Sequence, residues 1–301
     1  MFKLVSSIVI FAGVLGCSTS ANAQATPSDV LVSVETAQNE LRLLYDADMQ
    51  EVPSAKVTSS APRRPRHVYF KAREVYQKVK ALKEMNGLTM ADLPEVPKRE
   101  IRPTEVKELV DNIRKNLGDI KAKYFVVSEA TTAAKKNGKG PTDVYLGLTY
   151  TSQLIDGLDM PNVVPNDVYR VALAVLEEAR VISRAQNGSR SEAELELVAT
   201  GKKPVDVYNN GETLLNLISD MSQNKEGYEI PAGVVLPNRP SGNITPGHVM
   251  DLMSNTLAEL SALKAKLGIA ESAANQPAQA GKTPSNVFDV IETTKAVLSG
   301  I

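Results

Sequence analysis

The chain has 301 residues, enough for one large domain or two modest ones, and 43% of them are apolar, so a packed core is within reach. Aromatic residues make up only 5% and Trp is absent, which suits aliphatic helix packing more than an aromatic-lined catalytic pocket. The formal charge is −1, with 34 Lys+Arg interspersed among 35 Asp+Glu, and this balance gives no electrostatic case for a nucleic-acid partner.

The chain opens with Lys3 and an apolar run over residues 4–15, too short to cross a bilayer as a helix. Two cleavage readings compete. Ala21-Asn22-Ala23 is an A-x-A site before Gln24, which makes residues 1–23 a signal peptide and the mature protein soluble in the periplasm. Val14-Leu15-Gly16-Cys17 resembles the bacterial lipobox, which implies a lipid on Cys17 and anchoring to the outer membrane. The two readings stand level. Cys17 is the only cysteine, so the mature body has no disulfide to form and no cysteine zinc site.

Beyond the leader one pattern recurs, Pro-x-(Asp/Asn/Glu/His)-Val. It begins at Pro27, Pro65, Pro103, Pro141, Pro165, Pro204, Pro246 and Pro284, with spacings of 38, 38, 38, 24, 39, 42 and 38 residues. A period of this size marks a repeat architecture. Proline suits the first helical position, where its missing N–H has no partner and its φ is already helical. Thr26, Thr245 and Thr283 precede it as N-caps in three copies. Two residues after each proline stand Asp29, His67, Glu105, Asp143, Asp167, Asp206, His248 and Asn286, in the turn where unpaired N–H groups favour an acceptor or a negative charge. Counting from each proline, offsets +3, +7, +10, +14 and +17 form a heptad seam, broken only at Thr151, Gly211, Thr256 and Thr294. Each proline therefore starts an amphipathic helix of about five turns.

In chain order the first helix is expected over residues 27–44 and the second to Met85, stopped by Asn86-Gly87. The third starts at Pro103 and is expected to continue to about residue 134. The fourth ends near Leu158, and the short join to Pro165 predicts that helices four and five are near-antiparallel neighbours. The fifth ends at Asn187-Gly188, the sixth near Met221, the seventh at Leu267-Gly268, and the eighth closes the chain. The fold class is all-α: an eight-helix repeat protein forming two tandem four-helix bundles, residues 24–158 and 165–301. The alternative is a continuous helical array. Connectors of roughly 15–20 residues, at about 3.3 Å each, can return a chain along a helix of about 30 Å, so parallel and antiparallel neighbours are both reachable.

Candidate chemistry is sparse. His67 and His248 occupy the helix-start offset that Asp or Asn fills elsewhere, and capping accounts for both without a metal. Tyr69, Tyr145, Tyr169, Tyr208 and Phe288 share offset +4 beside the seam. They could line a groove for a partner or ligand, but packing on a neighbouring helix with a wet hydroxyl is the favoured reading. Arg63, Arg64, Arg66, Lys71 and Arg73 form the densest basic group, which reads as a solvated face before it reads as a lipid contact. Ser261 and Lys264 have S-x-x-K spacing without its companion motifs, and residues 138–142 lack P-loop spacing. No catalytic residue, cofactor, metal or nucleic-acid partner is expected. The sequence predicts a non-enzymatic binding or scaffold protein of the bacterial envelope, partnered by another envelope protein, with specificity in connectors 88–102 and 227–243. The alternative is a periplasmic ligand-sensing bundle feeding a membrane receptor, with the four seam breaks opening a small polar pocket.

Overall fold

The computed structural model describes residues 24–56, 60–188, 193–273 and 276–301. The expected signal peptide and Cys17 lie outside the described residues. Among the described residues the chain is all-helical: α1 Pro27–Ala47, α2 Pro65–Met85, α3 Pro103–Lys123, α4 Pro141–Asp156, α5 Pro165–Asn187, α6 Pro204–Asn224, α7 Pro246–Lys266 and α8 Pro284–Ser299.

All eight helices start in the same way. The side chain two residues past the proline turns back and accepts the N–H of the residue before it. The bonds are Thr26 N to Asp29 (2.9 Å), Arg64 N to His67 Nδ1 (2.9 Å), Arg102 N to Glu105 (2.8 Å) and Gly140 N to Asp143 (2.9 Å). In the second half they are Val164 N to Asp167 (3.0 Å), Lys203 N to Asp206 (2.8 Å), Thr245 N to His248 Nδ1 (3.2 Å) and Thr283 N to Asn286 (3.0 Å). The position thus demands an acceptor atom, not a charge, which is why His and Asn alternate there with Asp and Glu.

The seam is the core. Of its forty positions (eight helices, five offsets each), all but Leu158 and Ile301, which lie beyond the ends of α4 and α8, are buried. They fall into two tandem four-helix bundles with the same neighbour order, α1–α3–α2–α4 and α5–α7–α6–α8. α1 and α2 face each other diagonally, as do α3 and α4, whereas α2 and α3 are neighbours. Bonds join early turns to early turns and late turns to late turns. Ser33 Oγ donates to Asp111 (2.7 Å) and Gln38 Nε2 to Gly147 O (2.9 Å), while Tyr45 OH reaches Leu154 O (2.7 Å). Asn210 Nδ2 reaches Phe288 O (3.2 Å) near the starts of α6 and α8, and Lys264 pairs with Glu178 (2.5 Å) near the ends of α7 and α5. The four helices of each bundle are therefore parallel.

Parallel neighbours require the chain to return after each helix, and the connectors do so as extended straps. After α3, Thr131 O accepts from Asn39 Nδ2 (2.7 Å), Ala133 N donates to Thr36 Oγ1 (3.1 Å) and Lys139 N to Ser28 Oγ (3.3 Å), so the strap descends α1 as its own numbers rise. The 38-residue period is one helix plus one strap.

The short join before Pro165 has a different cause from the one the sequence suggests. α4 and α5 make no contact; the bundles meet through α2 against α7. There Arg66 in the first turn of α2 pairs with Glu259 late in α7, whereas Lys71, a turn on, pairs with Asp251 early in α7. The bundles run antiparallel, so the chain leaving α4 is already at the end where the second bundle's helices begin, and it needs no strap. α3 is also shorter than expected. It stops at Lys123 because Phe125 takes the left-handed conformation (φ 57°) that glycine supplies after α2 and α7.

Candidate functional site

Most of the basic group at the start of α2 is not a solvated face: Arg63, Arg66 and Lys71 are buried at the junction of the bundles, Arg73 is half-buried, and Arg64 alone is exposed. The hub is Glu259 of α7, with 0% of its surface exposed. It accepts from Arg66 Nε (3.0 Å), His67 Nε2 (2.8 Å) and the backbone N–H of Val235 (2.8 Å). Arg66 also donates to the carbonyls of Pro231 (3.1 Å) and Gly233 (2.6 Å), and Arg63 donates to Asn255 Oδ1 (2.5 Å), whose amide donates to Val235 O (3.0 Å). The strap around residues 231–235 is thereby tied into both bundles. Because His67 Nδ1 accepts the Arg64 N–H, the neutral ring carries its proton on Nε2 and donates it to Glu259. Burial lowers the His67 pKa, and the neighbouring Glu259 carboxylate only partly opposes this. Burial likewise lowers Arg66 against the pull of Glu259.

A second cluster continues the junction. Lys71 Nζ donates to Glu74 (2.7 Å) and Asp251 (2.9 Å), and Ser152 Oγ to the other Glu74 oxygen (3.0 Å). Burial alone would lower Lys71, but Asp251 and Glu74 raise it above the ordinary lysine value. Burial would raise Asp251, and the Lys71 charge holds it below the usual carboxylate range. Lys71 and Glu74 are buried and Asp251 sits half-exposed beside them; a buried charge is tolerated only when paired and hydrogen-bonded, and both buried members are.

The five aromatic residues at offset +4 do not form a common groove; they pin straps. The Arg63 guanidinium lies 4.3 Å from the Tyr145 ring centroid, the Lys282 ammonium 4.6 Å from Tyr169, Arg239 5.2 Å from Tyr208 and Lys202 4.3 Å from Phe288. Tyr69 is covered by Arg73 of its own helix (5.8 Å) and by the next strap, donating to Glu95 O (3.4 Å). Each ring thus meets a cation, favourably against its π face. Burial pushes Tyr208 up to about 12. The four seam breaks are likewise accounted for within the bundles. Thr151, Thr256 and Thr294 donate to carbonyls four residues back (3.0, 3.0 and 2.8 Å), and the place of a side chain at Gly211 is taken by Leu252 and Met253.

Beside the junction lies a cleft of about 660 Å³ between α2, α5 and α7, walled by strap 92–98 and by residues near 272. Phe70, Val171, Ala174, Met250, Leu257 and Ile269 give it an apolar side. Its carboxylates are mostly neutralised: Glu178 by Lys264 (2.5 Å), Asp92 by Lys80 (2.5 Å) and Glu74 by Lys71. Two half-buried arginines are not. Arg73 donates to Pro94 O (2.5 Å) and Arg170 of α5 to Gln77 Oε1 of α2 (2.8 Å), and neither forms an ion pair among the described residues. Burial lowers both guanidiniums below the ordinary arginine value. Ser261 and Lys264 also line the cleft, and Lys264 is paired with Glu178 across it. The sequence placed none of these residues in one site, because the cleft is formed by segments from both halves of the chain.

Among the described residues no group of three or more His, Cys, Asp or Glu side chains is arranged to hold a metal ion, and no helix is long and apolar enough to cross a membrane. No family model matches the chain, no curated protein matches it, and no solved structure matches it.

Proposed function

We propose that this is an exported envelope protein that acts as a non-enzymatic binding module, with the inter-bundle cleft as its seat. The observation that carries the reading is the cleft itself. It lies at the junction of two bundles, as small-molecule and peptide sites commonly do, and buried ion pairs fix its walls. The pairing of Glu178, Asp92 and Glu74 with lysines favours binding over acid–base catalysis, since a catalytic carboxylate needs a free proton position. Of the two connectors expected to carry specificity, residues 88–102 contribute Leu93, Val96 and Lys98 to the cleft, while much of 227–243 is spent in the Glu259 hub. Export rests on residues 4–15 and on the competing sites at Ala23 and Cys17.

The test is native mass spectrometry of the protein drawn gently from its own envelope, beside an Ala174→Trp variant. Ala174 is a half-buried wall residue of α5, and a bulky ring there closes the cleft. The wild-type protein is expected to carry a companion that the variant lacks; equal retention by both would remove the cleft from consideration. The same spectrum distinguishes a start at Gln24 from a lipid-bearing Cys17.

A further inference from the structure

The reading of the cleft as a binding seat leaves open what it takes. We propose that the cleft binds an amphipathic anion, a carboxylate or similar acidic head on a compact apolar body, with Arg73 and Arg170 receiving the head. This rests on the preceding assignment and adds the ligand's chemistry. Arg73 and Arg170 come from different bundles and share the Gln77 turn of α2: Gln77 follows Arg73 by one helical turn and accepts from Arg170 Nη2 at 2.8 Å. Each guanidinium has five donors, and the structure occupies only some of them, with the neutral acceptors Pro94 O and Gln77 Oε1. A half-buried cation without a counter-charge is unfavourable, and an arriving carboxylate would form the charge-assisted bonds that both guanidiniums lack.

The remaining charges do not supply that partner. Lys80, Lys264 and Lys71 are already paired with Asp92, Glu178 and Glu74, and exposed Glu95 and Lys98 on the strap offset one another in sign. Along the lining five cations (Arg73, Lys80, Lys98, Arg170 and Lys264) face four carboxylates (Glu74, Asp92, Glu95 and Glu178), an excess of one positive charge, and Arg73 and Arg170 are the half-buried cations without an ion pair. Phe70, Val171, Met250 and Leu257 give the ligand's body apolar surface from all three helices. The size, about 660 Å³, falls within the roughly 300–1,000 Å³ of small-molecule sites. A bare anion would leave that surface wet, and a neutral apolar molecule would leave the arginines uncompensated.

Titration calorimetry with three probes separates the alternatives: octanoate, octanol with the same tail and no charge, and inorganic phosphate with charge and no tail. Octanoate is expected to bind at least ~10-fold more tightly than either, the order of one charge-assisted contact. Arg73→Gln and Arg170→Gln should each weaken octanoate by ~10-fold and leave octanol unchanged. If either variant misfolds, Ala174→Trp, which removes no charge, must still abolish octanoate binding. Octanol binding as tightly as octanoate, with both lost in Ala174→Trp, would overturn the anion assignment and leave the seat standing. Phosphate binding as tightly as octanoate would overturn the amphipathic body. No probe binding, together with companion retention in Ala174→Trp, would overturn both the ligand class and the seat.

Discussion

α2 and α6 are the same helix of their respective bundles, and they differ where the bundles meet. Both start with proline, place Val68 or Val207 at the first seam position, and bury all five seam residues. Both sit diagonal to the first helix, between the third and the fourth. At offsets +1, +6 and +9, however, α2 carries Arg66, Lys71 and Glu74, while α6 carries Val205, Asn210 and Thr213. The α2 set is buried against α7; in α6, Thr213 is exposed and Asn210 is used within the bundle, accepting from Lys295 (2.7 Å). The same holds for α7 and its counterpart α3, where Glu259 is replaced by Asn116, which serves Lys83 of its own bundle (2.7 Å). The heptads specify a bundle twice over. Charged residues off the seam specify how the two are joined, and only one pair of helices carries them.

Removing the hub should break that distinction most strongly. Glu259→Ala leaves the buried Arg66 without its counter-ion, the buried His67 Nε2 without an acceptor, and the half-buried Val235 N–H without one as well. Loss of one partner of a buried pair costs about 3–5 kcal/mol. Urea unfolding followed by circular dichroism is expected to lose roughly that much and to divide into two transitions as the bundles uncouple. A single, unshifted transition would show that the junction is held by something other than this network. A bundle-internal change should act differently. Gly211→Leu inserts a side chain where a Cβ would already stand 2.8 Å from Leu252 Cδ2 and from Met253 Cε. Overpacking of this kind costs about 1–3 kcal/mol and should lower the second bundle's transition alone. Ala72 fills the same offset in α2, so the variant also tests whether the two cores have separate volume limits.

His67 sharpens the comparison through pH. Its folded pKa lies below the ordinary histidine value because it is buried neutral among Arg66, Arg63 and Glu259, with the Arg64 N–H on its other nitrogen. The unfolded chain therefore binds the extra proton as pH falls through about 6.5, so the stability His67 contributes is full above that pH and is lost toward pH 5. The loss between pH 7 and 5 should be about 1–2 kcal/mol. His67→Asn keeps the capping acceptor, as Asn286 does in α8, and should flatten this slope in melts at the two pH values. An unchanged slope would place the titration elsewhere.

These effects also mark what was legible in the sequence. Prolines, third-position acceptors and the seam predict eight helices and two bundles because each acts within a few residues of itself. Helix direction was not legible, since a strap long enough to return a chain does not say that it does. The short join at residues 159–164 looked like adjacency and was instead the one place where no return was needed. Phe125 ended α3 without a glycine to announce it. At the site the sequence recognised a basic cluster and assigned it to solvent, because its counter-charges, Glu259 and Asp251, lie 193 and 180 residues away. The Arg73–Gln77–Arg170 wall had no sequence signal, being ordinary polar positions until two bundles face each other.

The smallest effects should come from the strap anchors, which recur in both bundles and so allow a matched test. Arg63 N donates to Thr142 Oγ1 (2.9 Å) and, at the corresponding place, Lys202 N to Ser285 Oγ (3.0 Å). In each case the next contact is a cation on the aromatic ring at offset +4, Tyr145 or Phe288. Replacing the hydroxyl residue with alanine removes one bond, about 0.5–1.5 kcal/mol. Ser285→Ala should fall within that range and speed hydrogen exchange at the Lys202 amide alone. Thr142→Ala should fall at its upper end, because Arg63 is also bonded to Asn255 across the junction, and loosening the strap weakens that link as well. Exchange measured in both variants decides the point. Faster exchange at the Val235 amide in Thr142→Ala, with none there in Ser285→Ala, is the outcome that follows if the straps of the first bundle serve the junction and those of the second serve only their own helices.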